Sequence, residues 1–457
     1  MTIMSKKILV VGMARSGLAA VKYLSNKGYG VVVNDSKPEA DLGQVLDELK
    51  SYENLEYILG KNPGKEILKD VDMAVVSPGV PLELDFLLEL RSMGKEVISE
   101  VELAYREAQS KNIKFLGITG TNGKTTTTSI AGEICKEAGL ETYVVGNIGN
   151  PAISAVEVAN PGAVLVIELS SFQLEAVYDF RPQVSTVLNL TEDHMNRHHT
   201  MENYAKAKAN IFAKQTPDMV CVLNYDDQIT RDMGKDCQAR PVYFSRQARP
   251  KGGIYLDDKQ NIIAVKDGQE IEIVNAADLS LPGGHNLENC MAAIGLCLHF
   301  GIDKNVIKKV LTSFKAVEHR LEYVNTVNGV VYVNDSKGTN PDSTIKAVQS
   351  YKTPIILIAG GYDKGSDFTE LFDIAVDYVR TALVIGQTAD LIADTASKAG
   401  IKEIYKLDSL KEAVIKASQI ADEADVVLLS PACASWGMYK NYEERGREFK
   451  DIVNNML

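Results

Sequence analysis

Short apolar runs alternate with helical patterns along most of this chain, and a chain with that rhythm has few ways to fold. One series places strands at Lys7–Val11, Gly30–Asn34, Asp72–Ser77 and Glu96–Ile98, with a helix from about Ser16 to Lys27. A second begins at Phe115-Leu-Gly-Ile-Thr119 and runs through Tyr143–Val145, Val164–Glu168 and Thr186–Asn189. A third supplies Val330–Val333, Ile355–Ala359, Ala382–Ile385 and Val426–Ser430. Parallel neighbours need a crossover, usually a helix, so each series predicts a mostly parallel sheet with flanking helices. Residues 240–280 are more irregular, with short alternating pieces such as Ile254-Tyr-Leu256, and predict an added antiparallel segment.

Lysine plus arginine number 49 and aspartate plus glutamate 61, a net charge of −12 with no basic block. That argues against nucleic-acid binding, because a phosphate backbone needs a basic surface. The longest apolar runs are of strand length, far below the ~18 residues of a membrane span, and the N-terminus leads straight into a strand. No membrane span and a cytoplasmic location are therefore expected. The six cysteines form no CxxC pair and no zinc spacing, and are read as reduced core residues.

The sharpest local signal is Gly117-Ile-Thr-Gly-Thr-Asn-Gly-Lys-Thr125, continuing into Thr126. A strand ends there, glycines free backbone amides to wrap phosphate oxygens, Lys124 offers a point charge, and Thr125 places a hydroxyl where magnesium would sit. Five residues rather than four separate Gly117 from Gly123, so this is a compact variant of the usual phosphate loop. Glu168 ends an apolar strand and could hold a metal; His194 follows another strand end and could add a nitrogen ligand. His194 and His198 stand four apart, but the glutamate of HExxH is missing and the surroundings read as non-helical, which discounts a zinc protease. Lys208 lies in a helical pattern, where lysine is usually solvated.

At the other end, Gly12-Met-Ala-Arg-Ser-Gly17 follows the first strand and opens the first helix, with Asp35 about 20 residues on, where it could accept ribose hydroxyls. The middle glycine of a dinucleotide fingerprint is replaced by Ala14. These features predict an α/β protein of about three domains: 1–108 and 317–457 Rossmann-like, and 109–316 a central P-loop ATPase-type domain carrying the antiparallel addition.

The combination of Thr119-Gly-Thr-Asn-Gly-Lys-Thr125, His285-Asn286 with Asn289, Glu318-His-Arg320 and Asp335-Ser-Lys-Gly-Thr-Asn340 resembles the Mur ligase family, the ATP-dependent amino-acid ligases of peptidoglycan precursor assembly. The C-terminal blocks Gly360-Gly-Tyr-Asp-Lys364 and Ser430-Pro-Ala-Cys-Ala-Ser435 extend the similarity through all three expected domains. The resemblance implies ATP and Mg2+, with Gly120, Thr121, Asn122, Gly123, Lys124, Thr125 and Thr126 around the phosphates. Thr125, Glu168, His194 and Lys208 become the metal-site residues, Lys208 as a carbamate. Asn286, Asn289, Arg320 and Asp335 fall on positions that contact the nucleotide, and Asn147 and Ser170 on the substrate and metal centre. Arg15, Ser16, Gly17, Asp35, Ser36 and Gly79 fall on the UDP-sugar end, and Thr339, Lys364, Ser435 and Tyr442 on positions for the incoming amino acid. The implied partners are these small molecules alone, bound by a monomer. Lys208 lies one residue closer to His194 than the family pattern leads one to expect.

Three other readings explain less. A folylpolyglutamate synthase-like ligase leaves Ser430–Ser435 without a reason. An NAD-dependent oxidoreductase, argued from Gly12–Gly17 and Asp35, leaves the Lys124 loop unused. A non-catalytic nucleotide-binding protein need not keep Glu168, His194 and Lys208 together.

Overall fold

The computed structural model describes residues 6–147, 149–281, 283–314, 318–363 and 365–456. The first sheet holds β1 (Lys7–Val11), β2 (Gly30–Asp35), β3 (Leu55–Leu59), β4 (Met73–Val76) and β5 (Glu96–Ser99) in the order β3-β2-β1-β4-β5, every pairing parallel. Strands buried on both faces read as unbroken apolar runs, as Lys7-Ile-Leu-Val-Val11 does. The order reverses between β1 and β4, and a ligand of an open parallel sheet sits at such a point. The loops after β1 and β4 carry Gly12–Gly17 and Ser77–Gly79.

The second sheet contains β6 (Lys114–Thr119), β7 (Thr142–Gly146), β8 (Val164–Glu168), β9 (Val184–Val187), β10 (Val220–Asn224), β11 (Arg240–Ser245), β12 (Ile254–Leu256), β13 (Asn261–Lys266) and β14 (Gln269–Asn275). Its order is β14-β13-β12-β11-β10-β9-β6-β8-β7. The expected antiparallel segment is the run β12-β13-β14, while β11 pairs parallel with β10 and belongs to the main sheet. The third sheet comprises β15 (Glu322–Val327), β16 (Val330–Asn334), β17 (Ile355–Gly360), β18 (Val379–Ile385), β19 (Glu403–Leu407) and β20 (Val426–Leu429), ordered β15-β16-β20-β17-β18-β19 with β15 antiparallel at one edge. The α/β class with three mostly parallel sheets stands. The sequence reading missed β3, β10, β15 and β19. Three of these are edge strands with half-exposed residues, and the fourth is a four-residue apolar run closed by Asn224 that periodicity cannot tell from buried helix.

Packing divides the chain into two compact units, Met1–Leu279 with Glu288–Ser313 and Ser280–Leu287 with Phe314–Leu457. The first unit contains both of the first two sheets, and one buried apolar cluster runs from Ile8 and Val10 through Phe115 to Leu223. The helix Glu100–Ala108 makes this joint. Ser99 caps it, and two carboxylates of its first turn, both buried, reach the backbone beyond. Glu100 Oε1 accepts from Ile153 N at 2.7 Å. Glu102 accepts from the amides of Tyr178, Asp179 and Phe180 at 2.9, 3.0 and 3.1 Å, and from Arg106 Nε at 2.8 Å. Tyr105, Phe115 and Phe180 close the joint edge to face.

Removing the Glu102 carboxylate strands three amides, while Arg106 keeps Glu96 and Asp179. Glu102→Ala should destabilise the first unit by about 3 kcal/mol, because groups left unpaired in the interior carry their full desolvation cost. The check is the midpoint of denaturant unfolding, and an unchanged midpoint would count against the clamp. All six cysteines are free and five are buried, as a reduced core requires. Among the described residues no helix is long and apolar enough to cross a membrane.

Candidate active site

The phosphate loop joins the end of β6 to the helix Lys124–Glu137. Gly123 has φ +83°, and a Cβ there would overlap Asn289 Oδ1, so only glycine lets this turn pack against the helix Gly284–Phe300. Thr127 Oγ1 also donates to that oxygen at 3.4 Å. The loop is clamped from the end of β9: Thr121 N donates to Asn189 O at 2.9 Å, Asn122 N to Asn189 Oδ1 at 2.8 Å, and Asn189 Nδ2 returns to Asn122 O at 3.1 Å. Lys124 Nζ folds back on Gly120 O and Thr121 O at 2.9 and 2.7 Å. Thr125 and Thr126 are buried in the first turn, and Thr126 Oγ1 finds no hydrogen-bond partner among the described residues. A buried hydroxyl left over beside a helix N-terminus suits an oxygen-rich anion or a hydrated cation.

Lys208 overturns the expectation of a solvated face. It is 1% exposed on the helix Met201–Ala209, where Nζ donates to Gly120 O at 2.8 Å and lies 4.7 Å from the centre of the Tyr204 ring. Burial, then the nearby Lys124 charge, hold its amine well below the usual lysine range. Tyr204, one turn earlier, places its hydroxyl 3.2 Å from Thr121 Oγ1. Glu168, 1% exposed at the end of β8, accepts from Asn147 Nδ2 at 2.9 Å, and its carbonyl accepts from Asn147 N. Ser170 forms a capping box with Gln173 over the short helix Ser171–Leu174. Lys124, Asn147, Glu168 and Lys208 thus sit on the loops and helices that follow the carboxyl ends of β6, β7, β8 and β9.

His194 sits at φ +57° ahead of a single helical turn, Met195–His198, so the surroundings read as non-helical are helical for one turn. Its Nε2 lies 3.6 Å from Asp193 Oδ2 and its ring 4.9 Å from that of Phe172. His198 is buried, pairs through Nε2 with Ser171 Oγ at 2.9 Å and stacks on Phe172, and burial lowers its pKa. Thr125, Glu168, His194 and Lys208 offer a hydroxyl, a carboxylate, an imidazole and an amine, donor types that suit a hard divalent cation if Lys208 becomes anionic.

In the first sheet Met13 N donates to Asp35 Oδ2 at 2.6 Å and Lys37 N to Oδ1 at 2.9 Å, so the carboxylate holds the two loops in register. Gly17 is buried, and a Cβ there would overlap Gly12 O. Arg15 and Ser36 are exposed and Ser16 half-buried around this loop, and Gly79 lies exposed after β4. The second unit places Asp335 at the end of β16, accepting from Ser430 Oγ at 2.7 Å and from Leu321 N at 3.3 Å; burial raises its pKa to about 6 against the pull of Arg320. Arg320 Nε has no partner among the described residues. Asn286 and Ser435 are buried, and Thr339 is half-buried. Lys337 Nζ stands 5.1 Å from the Tyr442 ring centre. Lys364 lies outside the described residues.

Comparison with known proteins identifies the family. Residues 118–297 match the Mur ligase middle domain, 319–433 the Mur ligase glutamate ligase domain, and 6–99 the Mur ligase MurD-like N-terminal domain. UDP-N-acetylmuramoylalanine--D-glutamate ligase of Clostridioides difficile (strain 630) is 54% identical over 456 residues, covering 100% of both chains. The protein of the same name from Alkaliphilus oremlandii is 50% identical over 457 residues, again covering 100% of each. The chain belongs to the Mur ligase family. UDP-N-acetylmuramate-alanine ligase MurC from Thermotoga maritima superposes with a TM-score of 0.60 at 18% identity, over 99% of this chain and 100% of that one, a likeness of fold.

Several side chains of this Mur ligase that hold the site were not singled out from sequence. Tyr204 could have been found from its place four residues before Lys208, which on a helix puts both on one face. Asn189, ending its strand run as Glu168 does, was available on the same grounds. Arg445, 1% exposed, donates to Ser336 Oγ and O and to Cys433 O, fixing the Asp335 and Ser435 loops to one another; burial lowers its pKa to about 10. No local pattern announces that role.

Proposed function

We propose that this Mur ligase joins the amine of D-glutamate to the alanyl carboxylate of UDP-N-acetylmuramoyl-L-alanine, with ATP converted to ADP and phosphate, as a step of peptidoglycan precursor assembly. The observation that carries the reading is the set gathered after β6, β7, β8 and β9: a glycine loop with Lys124, the Asn147–Glu168 pair and the buried Lys208. Full-length relatives bearing the D-glutamate ligase name support the choice of amino acid.

A carboxylate resists amines because it lacks a leaving group, so it must first take a phosphoryl group from ATP. The loop amides and Lys124 bind and orient the triphosphate, and the lysine offsets charge on the oxygens of the transferring group. Mg2+, when bound, adds further positive charge at the same oxygens; Thr125, Glu168, His194 and Lys208 as a carbamate would hold it. Asn147 keeps Glu168 in one orientation, and Thr126 offers its spare hydroxyl to a phosphate oxygen. The D-glutamate amine then attacks the acyl phosphate, and a tetrahedral intermediate expels phosphate. Thr339, Ser435 and Tyr442 would orient the amino acid, with Lys364 giving charge to a carboxylate. Gly12–Gly17, Asp35, Ser36 and Gly79 would take the UDP end. Residues 1–108, 109–316 and 317–457 then serve UDP-sugar, ATP and amino acid in turn, in a cytoplasmic monomer.

The test supplies UDP-N-acetylmuramoyl-L-alanine and ATP with D-glutamate, L-glutamate or L-lysine in separate reactions, following phosphate release and product mass. Ligated product with D-glutamate alone is expected. Phosphate release without product, or product with L-lysine, would overturn the assignment of the amino acid.

A further inference from the structure

Arg197 is absent from the chemistry above, yet it touches three of the segments that build the site. Its Nη2 donates to Glu175 Oε2 at 2.6 Å and its Nε to Oε1 at 3.4 Å. Nη2 also donates to Val80 O at 3.2 Å, across 117 residues of sequence. The guanidinium carbon stands 5.6 Å from the centre of the Phe172 ring, the ring that flanks His194. Arg197 itself belongs to the single helical turn after His194, and its amide donates to His194 O. The side chains of Arg197 and Glu175 are only 15% and 17% exposed. A pair so covered is no ordinary surface salt bridge, since breaking it leaves a largely buried charge behind.

We propose that Arg197 is a positioning residue for the UDP-sugar, holding the turn after β4 against the segments that carry Glu168 and His194. The inference rests on the ligase reading given above. Ser77 Oγ donates to Gly12 O at 2.7 Å and Val80 N to Ser77 O at 3.0 Å, so the turn Arg197 grips is the one that packs against the Gly12 loop. Through Glu175 the same guanidinium fixes the end of the short helix Ser171–Leu174, which follows Glu168. The nucleotide end and the acceptor end of one long substrate are thereby held at a set distance. That is the task of a fork with several donors in a fixed plane, which the single ammonium of lysine cannot copy.

The experiment compares wild type with Arg197→Met, Arg197→Lys and Glu175→Gln. UDP alone is titrated by calorimetry, and KM is measured for UDP-N-acetylmuramoyl-L-alanine and for ATP separately. Arg197→Met should weaken UDP binding and raise the KM of the UDP-sugar roughly ten- to a hundredfold, the range a misplaced positioning contact gives. The KM for ATP should stay within about twofold, since the phosphate loop is clamped separately by Asn189. Arg197→Lys should fall between, and Glu175→Gln should shift UDP-sugar KM in the same direction. Unchanged UDP affinity with unchanged UDP-sugar KM overturns the proposal; so does a parallel rise in both KM values with a lowered melting temperature, the mark of a merely structural role. If UDP affinity responds to Arg197 while wild type fails to use the muramoyl substrate, the proposal stands and only the substrate assignment falls.

Discussion

Lys208→Ala should lower ligation by on the order of a thousandfold, the cost of deleting a charged group that acts on the transferring phosphoryl. The expectation follows from burial. An amine held well below its usual pKa by desolvation and by Lys124 is far more often neutral at physiological pH than a solvated lysine, and only the neutral amine adds CO2. Addition would form a bond from Nζ to the carbon of CO2 and release a proton, leaving a carbamate anion within electrostatic range of Glu168 and Lys124. The unmodified lysine explains the local hydrogen bonds to Gly120 O and Thr119 Oγ1, so Lys208→Ala will also cost some stability. Two readouts separate the roles. Acetate or another short carboxylic acid, diffusing into the space left by the side chain, should restore part of the activity of Lys208→Ala and none in Lys208→Met, where that space is filled. Full activity of Lys208→Ala, or loss without any rescue despite an unaltered melting temperature, would sink the carbamate.

How much of this was legible in the sequence depends on the range of the interactions involved. The phosphate loop reads directly, because glycines, a lysine and a threonine between a strand and a helix are a local pattern whose physics is local too. The three sheets read from buried parallel strands, since burial on both faces demands unbroken apolar runs such as Ile355-Ile-Leu-Ile-Ala359. The edge strands β3, β15 and β19 escaped because an edge carries no such demand. Lys206 and Lys208 illustrate the limit within one helix: they look alike in Tyr204-Ala-Lys-Ala-Lys208, yet the first is exposed and the second 1% exposed. The difference lies in what packs against that face, the phosphate loop almost 90 residues earlier in the chain, and no local pattern contains it. The same holds for Glu102, whose three amide partners lie 76 to 78 residues away, and for Arg197 and Val80. The Mur resemblance implied a metal-site role for Lys208 where the residues alone left it in solvent; its side chain is buried against Gly120 O.

Asp335→Asn should make the protein more stable at neutral pH while lowering its ligase activity. Burial raises the carboxyl of Asp335 to about 6 from 3.8, and neither Arg320 nor the bonds from Ser430 and Leu321 undo this. In the unfolded chain the group is already ionised above pH ~4. Between those two values the folded protein holds a proton that the unfolded chain has lost, so stability falls as pH rises through the window. By pH 7 the ionised, buried carboxylate costs about 3 kcal/mol relative to its protonated form, at about 1.4 kcal/mol per pKa unit. Asparagine carries no such charge. The stability difference between Asp335→Asn and wild type, measured by denaturant unfolding, should therefore widen from pH 4 to pH 7 and then level off. A difference that stayed flat across that range would show that Asp335 is not held protonated by the fold. Strongly perturbed buried carboxyls cluster at functional sites, and Asp335 feels the charge of Arg320, whose Nε is buried without a partner among the described residues. If the pair serves the nucleotide, Asp335→Asn should raise the KM for ATP while leaving the affinity for UDP untouched, and those two constants measured on one preparation separate a nucleotide role from a general loosening of the second unit.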